Sequence, residues 1–287
     1  MEWKKNHKTI HLPEQTISYI DTEYGDQILL ILHGFATSSY DYYKIIDELR
    51  KSYRVIIPDL IGFGFSSKPK NFFYTAKDQA SLLTVMLREL EIKKVSIMAQ
   101  GFGVCITDEI ESIIDLGFVD LQIDDIFFIN SRIQLALTKD ESELELQKQL
   151  LTSSLVKLSL SYEMFKKYMK VSFYEKEAIS EEELENYWEM LNYNNGIKTM
   201  NFIDNYMLET TNFGKRRLAN LKKSSINKFV IWGKNDENES IESFQKIKEL
   251  LEIQSKNMAL IDNCGHFPML EKPEEFAKII KELKKIA

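Results

Sequence analysis

Cysteine is nearly absent from this chain. Among 287 residues there are only Cys105 and Cys264, which lie far apart in the sequence. Two distant cysteines provide neither a disulfide framework nor the paired ligand spacing of a zinc site. We therefore expect no bound metal and no other cofactor, and we take a reducing, cytoplasmic location as the default.

Long apolar runs and clusters of basic residues are also missing. The longest apolar run, residues 28–32, is far too short to cross a bilayer, and the charged first residues lack the apolar stretch of a secretory signal. The net charge is −7, and basic residues occur only in short, scattered runs. This balance argues against a nucleic-acid partner or an anionic membrane surface. A small, partly apolar molecule is the expected ligand, and the oligomeric state is left open.

Glycine is scarce as well, and its placement is informative. Only eleven glycines occur. Seven of them lie at the ends of predicted strands or in the loops that follow, namely Gly34, Gly62, Gly64, Gly101, Gly103, Gly233 and Gly265. In open parallel sheets the ligand crevice lies outside the carboxyl ends of the strands, where the backbone turns tightly or approaches a ligand. We therefore predict a functional site at that edge.

Short runs rich in Ile and Val alternate with helical patterns along most of the chain. This alternation predicts an α/β fold with a mostly parallel sheet covered by helices on both faces. The predicted strands are residues 16–21, 28–32, 53–57, 94–98, 125–129, 228–232 and 257–261. The predicted helices are residues 39–50, 76–90, 102–115 and 241–251, with a last helix from Pro273.

Residues 132–222 interrupt this alternation. They contain no convincing strand and very little Gly or Pro, and they carry helical patterns. A crossover between parallel strands needs only one helix, so this long segment is predicted to be an inserted helical subdomain. The core would then consist of residues 1–131 and 223–287.

Four short segments carry a resemblance to a known family. They are Leu32-His33-Gly34-Phe35, residues 58–66 from Pro58 to Ser66, Gly233-Lys234-Asn235-Asp236, and residues 265–273 from Gly265 to Pro273. Each resembles a motif of the α/β-hydrolase family, in that family's order and spacing. The resemblance is to esterase-like and haloalkane-dehalogenase-like members. It implies an eight-stranded sheet, and it implies that residues 132–222 form a cap.

His266 is the candidate general base. The chain has four histidines, and a base needs an imidazole near its ordinary pKa on a loop that faces the crevice. His266 follows a predicted strand and a glycine, as the family's catalytic histidine does. His33 resembles the histidine of the family's His-Gly motif, which shapes its loop together with Gly34 rather than acting as a base.

Asp236 is the candidate acid that orients the base. It follows a predicted strand, and the order of Asp before His matches the family. A carboxylate at this place can accept the second ring N–H of His266 and fix its tautomer. Glu237 and Glu239 are local competitors. Asn130 stands where some dehalogenase-like members carry their acid, and because it is not acidic it favours Asp236.

The resemblance also implies an oxyanion hole built from backbone N–H groups. In this fold the donors are the residue after the nucleophile and a residue after the His-Gly motif. These residues are Phe102 and Phe35, whose side chains would wall the pocket. Asp59 and Ser66 are expected to shape their loop rather than to catalyse.

The nucleophile itself is missing. The family carries it on a sharp strand-to-helix turn with the pattern small–x–nucleophile–x–Gly. The matching residues are Ala99, Gln100, Gly101, Phe102 and Gly103. Gly101 therefore occupies the nucleophile position, between turn-shaping Gln100 and Gly103. Glycine accepts the strained backbone of this turn but offers no attacking atom, and Cys105, one helical turn further on, is more typical of core packing.

Two kinds of function follow from this pattern. The first is hydrolysis of a small ester, lactone or thioester, in which His266 and Asp236 activate water in place of a side-chain nucleophile. In a looser form of this hypothesis, Gly101 impairs a serine- or aspartate-based hydrolase, either by divergence or as an introduced substitution. The alternative is a non-catalytic protein that binds a small molecule between core and cap.

Overall fold

The computed structural model describes residues 3–131, 161–203 and 205–286. Within these ranges eight strands form one sheet in the order β1-β2-β4-β3-β5-β6-β7-β8. The strands are β1 Lys8–Leu12, β2 Gln15–Asp21, β3 Ile28–Leu32, β4 Arg54–Pro58, β5 Lys94–Gln100, β6 Gln122–Ile129, β7 Asn227–Gly233 and β8 Met258–Ile261.

Helices alternate with these strands and also fill the stretch between β6 and β7. They are α1 Ile46–Leu49, α2 Ala76–Glu89, α3 Phe102–Asp115, α4 Tyr162–Val171, α5 Glu181–Asn192, α6 Gly196–Ile203, α7 Asn205–Lys223, α8 Ile241–Leu250, α9 Pro268–Glu271 and α10 Pro273–Ile286. None of the helices in the described ranges is both long enough and apolar enough to span a membrane.

The sheet confirms the predicted fold class. From β4 through β8 every neighbouring pair is parallel, and only β1 and β2 run antiparallel to their neighbours. Residues 29–32 of β3 are fully buried without alternation, as expected for a strand covered on both faces. The carboxyl ends of β5, β6, β7 and β8 therefore meet at one edge of the sheet.

Two local expectations were wrong. Strand β1 was not predicted, because it contributes only Ile10 and Leu12 to an edge that is otherwise polar. The helix predicted over residues 39–50 is instead a 3₁₀ turn, Ser39–Tyr42, followed by the short α1. Because all four residues of the turn are buried, they do not fit the single apolar face of a surface helix.

The helices α4–α7, which we call the inserted helices, contact the core at several places. The Tyr187 hydroxyl on α5 donates to Asp41 Oδ1 at 2.8 Å, and Arg217 Nη2 on α7 donates to Glu109 Oε1 on α3 at 3.1 Å. Residues 132–160 lie outside the described part of the chain. The division into a core and a cap of residues 132–222 therefore stays a prediction.

Candidate functional site

His266 and Asp236 form a hydrogen-bonded pair at the carboxyl edge of the sheet. The Nδ1 atom of His266, in the loop between β8 and α9, lies 2.7 Å from Asp236 Oδ2, in the loop after β7. The Asp236 carboxylate is fully buried, whereas 18% of the His266 side chain is exposed. Burial opposes the charged imidazole, but attraction to Asp236 and the hydrogen bond outweigh it, so the pKa of His266 lies above its ordinary value.

Both oxygens of Asp236 are fixed by further donors. Asn130 Nδ2 donates to Oδ2 at 2.8 Å, and the backbone N–H of Asn238 donates to Oδ1 at 2.7 Å. The Asn130 side chain also accepts the N–H of Gly233 at 2.9 Å, which ties it to the end of β7. By contrast, Glu237 pairs with Lys176 at the surface. In the sequence, Asn130 was of interest only because it is not acidic. In the structure, its side chain donates a hydrogen bond to the carboxylate of Asp236.

Gly101 forms the turn between β5 and α3. Its φ of +51° and ψ of −114° lie in a region that strains residues with a side chain. The described residues nevertheless leave room for a Cβ atom at Gly101, because the nearest of their atoms, Gly34 Cα, would lie 3.5 Å from it. Its N–H donates to Ser131 Oγ, which in turn donates to Ile129 O at 2.8 Å. The turn is thus tied to the end of β6.

The two residues predicted to supply oxyanion donors flank this turn. The Cβ position at Gly101 lies 3.9 Å from the backbone N of Phe35. Phe102 is the first residue of α3, at the helix end where the helix dipole favours negative charge. The Phe35 ring lies 6.2 Å from that of Phe63, and the Phe63 ring lies 6.4 Å from that of Phe102. Three aromatic rings thus pack together beside this turn.

Gln100 joins the turn to the loop of His266. Its Nε2 donates to the carbonyl oxygen of His266 at 2.6 Å, and its side chain is buried. Since Gln100 immediately precedes Gly101, this bond brings the nucleophile position and the candidate base into one site.

Gly103 has a packing role on the other side of the turn. A Cβ atom at this residue would lie 2.4 Å from Leu32 O, far inside normal contact. Only glycine therefore lets the start of α3 approach β3 this closely.

His33 and Gly34 lie in the loop that follows β3, next to the site. His33 is fully buried, accepts the Leu60 N–H at Nε2 at 3.1 Å and donates from Nδ1 to Gly34 O at 2.8 Å. The ring therefore carries its proton on Nδ1, and burial lowers its pKa. These contacts connect two loops and leave neither ring nitrogen for proton transfer.

Asp41 is a second buried carboxyl group near the base, and the sequence analysis did not select it. Its oxygens accept hydrogen bonds from Thr37 Oγ1 at 2.6 Å and from Tyr187 OH at 2.8 Å. Burial raises its pKa to about 7, although these bonds and the charge of His266 act in the opposite direction. Its place among tyrosines, in Tyr40-Asp41-Tyr42-Tyr43, was the one signal that the sequence offered.

Replacing Asp41 by asparagine should make stability less sensitive to pH. In the folded state Asp41 keeps its proton up to about pH 7, whereas in the unfolded chain it loses the proton near pH 4. The ionisation of Asp41 therefore lowers the stability of the wild type as the pH rises from about 4 to about 7. The difference in the free energy of unfolding between Asp41→Asn and the wild type should therefore shift in favour of the variant by on the order of 1–3 kcal/mol as the pH rises from 5 to 8. The measurement is the free energy of unfolding in urea at both pH values. Asp47→Asn, at an exposed position on α1, should show no such change, and a flat difference for Asp41→Asn would contradict the expectation.

Comparison with known proteins agrees with this architecture. A sequence profile described as alpha/beta hydrolase fold matches residues 27–106. The chain is 28% identical to the mesoderm-specific transcript homolog protein of Bos taurus, over 96% of this chain and 84% of that protein.

Solved structures of hydrolases share the fold over nearly the whole chain. A mutant of the meta-cleavage product hydrolase CumD has a TM-score of 0.77 at 18% identity and covers 98% of both chains. The epoxide hydrolase CorEH has a TM-score of 0.73 at 18% identity and covers 98% of this chain and 99% of its own. Among the residues described for this chain, no three His, Cys, Asp or Glu side chains are grouped so that they would hold a metal ion.

Proposed function

Because this chain belongs to the α/β-hydrolase fold superfamily, we propose that it hydrolyses a small ester, lactone or related substrate with water activated by His266 and Asp236. One observation carries this proposal. A base–acid pair with a 2.7 Å hydrogen bond is joined through Gln100 to a turn where the described residues leave room for a Cβ atom at residue 101, 3.9 Å from the Phe35 backbone N.

The base acts through the ring nitrogen that faces away from Asp236. Since Nδ1 is held by the carboxylate, Nε2 is left to accept a proton from water. The water occupies the space that a nucleophilic side chain at position 101 would fill. Its oxygen attacks the substrate carbonyl as its proton passes to His266. Asp236 stabilises the imidazolium that results.

Backbone donors would then stabilise the intermediate. The carbonyl oxygen gains negative charge as the new C–O bond forms, and the N–H groups of Phe35 and Phe102 are the donors proposed for it. When the bond to the leaving alkoxide breaks, the imidazolium returns its proton to that oxygen. The products are a carboxylic acid and an alcohol, and no covalent enzyme intermediate forms.

The pH dependence of the rate tests this role of His266. Because only the neutral imidazole accepts a proton, kcat/KM should rise with pH and level off above the pKa of the free enzyme's base. Attraction to Asp236 raises that pKa, so the midpoint should lie above the ordinary value of about 6.5. The measurement is a pH–rate profile with p-nitrophenyl esters and a lactone. A rate that is independent of pH between 5 and 9 would contradict the proposal.

The second candidate function is binding of a small molecule without catalysis. It is favoured by Gly101, because glycine removes the attacking atom and relieves strain at the turn. Native mass spectrometry of the purified protein distinguishes the two functions. A co-purifying small molecule together with no detectable hydrolysis would support binding, whereas turnover with the pH profile above would exclude a purely binding role.

A further inference from the structure

The turn that follows α4, residues 172–176, contacts the loop that carries the base. The backbone N–H of His266 donates to Ser172 O at 2.8 Å. A Cβ atom at Gly265 would lie 2.5 Å from Ser172 O and 2.8 Å from Tyr174 N, closer than normal contact. The backbones of the two segments therefore approach each other at a distance that only glycine permits. The turn after α4 thus accepts the main-chain hydrogen bond of the candidate base.

Glu271, the last residue of α9, spans the same contact with its side chain. Its Oε1 accepts the N–H of Gly265 and its Oε2 accepts the N–H of Tyr174, each at 2.8 Å. One carboxylate therefore holds the loop before His266 with one oxygen and the 172–176 turn with the other. Glu271 is half-buried, and this burial raises its pKa despite these bonds.

The loop of the acid is attached to the same turn. Asn238 Nδ2 donates to Ser172 Oγ at 2.9 Å, and Lys176 Nζ donates to Glu237 Oε1 at 2.7 Å. The backbone N–H of Asn238 in turn holds Asp236 Oδ1. The loops of base and acid come from different strands, and the 172–176 turn bridges them.

We propose that Glu271 is a positioning residue that clamps the His266 loop to the 172–176 turn. Through this clamp, the position of the inserted helices on the core sets the distance between His266 and Asp236. This inference rests on the function proposed for His266. Glu271 itself touches no reacting atom. Its effect passes through the Gly265 N–H and the main chain of His266.

Glu271→Gln tests the clamp, because an amide retains one acceptor oxygen and cannot accept two opposed N–H groups. We expect hydrogen exchange at Gly265 or Tyr174 to speed up by about tenfold or more. We also expect the His266 pKa, followed by NMR titration of the ring, to fall by about half a unit or more as the bond to Asp236 loosens. Glu271→Asp keeps the charge but shortens the reach, and it should shift both readouts in the same direction.

Glu274→Gln is the matched control, since Glu274 is exposed in the first turn of α10 and carries the same change of charge. It should leave both readouts at their wild-type values. Faster exchange in the Glu271 variants without a change in the His266 pKa would overturn the positioning role. Unchanged exchange would overturn the clamp itself.

Wild-type protein provides a test that needs no variant to fold. If the clamp joins the two segments, the amides of Tyr174, Gly265 and His266 should share protection factors within about tenfold, because they open together. Exchange of Tyr174 that is about a hundredfold faster than that of Gly265 would overturn the inference. None of these readouts requires turnover, so a failure of the proposed hydrolysis would be seen separately, in the kinetic assays.

Discussion

Replacing Gly101 with serine is expected to raise the rate of ester hydrolysis by about 100-fold or more over the wild-type protein. The proposed base belongs to a loop that is bonded to Gln100, next to position 101, through the His266 carbonyl at 2.6 Å, and the backbone N of Phe35, a proposed oxyanion donor, lies 3.9 Å from the Cβ position. A hydroxyl group there would attack the carbonyl directly and would transfer its proton to His266. The measurement is kcat/KM for p-nitrophenyl esters, with a burst of p-nitrophenol as the sign of an acyl-enzyme.

The serine should fit, although at some expense of stability. Among the described residues, a Cβ atom at position 101 meets Gly34 Cα at 3.5 Å and Phe35 N at 3.9 Å, so it requires no movement of these neighbours. The φ of +51° is unfavourable for a residue with a side chain, and the free energy of unfolding should fall by about 1–3 kcal/mol.

Gly101→Ala is the matched control for this prediction. It adds the same Cβ and the same backbone strain but no hydroxyl, so it should lose similar stability and gain no activity. Equal activity of the two variants, or a folded Gly101→Ser protein without any gain, would contradict the proposed arrangement.

The second large effect is expected for His266→Ala. If neutral His266 is the base that activates water, its removal should lower wild-type kcat/KM by about 10²–10⁴-fold. KM should change much less, because the imidazole contributes to the transition state more than to substrate binding. The measurement is full kinetics at a pH above the midpoint of the wild-type profile.

His11→Ala controls for the loss of an imidazole. His11 is exposed on β1, and its ring lies 3.2 Å from Thr16 Oγ1. This variant should keep the wild-type rate. Wild-type activity that survives in His266→Ala would show that hydrolysis occurs without this base.

The fold was predictable where burial is continuous. The central strands β3 to β7 are short runs of buried apolar residues, mostly β-branched and aromatic, and such runs have few alternatives to a parallel sheet covered on both faces. Prediction failed where a segment depends on tertiary contacts. Residues 39–50 have helical spacing, but Asp41 and Tyr42 are both buried, and the chain bends to place Asp41 against Tyr187 of α5.

The pairing of His266 with Asp236 was expected from order and from the strands they follow. The residues that form hydrogen bonds to this pair and its loops were not expected, because their contacts join distant parts of the chain. Asn130 reaches Asp236 from the end of β6, and Glu271 joins two loops through backbone N–H groups that every residue possesses. No spacing rule within one segment can reveal such partners.

Labelling with a fluorophosphonate tests the central claim most directly, namely that an intact hydrolytic site surrounds an empty nucleophile position. A hydroxyl at position 101, activated by His266, attacks phosphorus and displaces fluoride, and intact-protein mass spectrometry detects the adduct. We expect one adduct at residue 101 in Gly101→Ser, none in the wild type, and strongly slowed labelling in Gly101→Ser combined with His266→Ala. A folded Gly101→Ser protein that takes up no label, or labelling that is indifferent to the loss of His266, would contradict it.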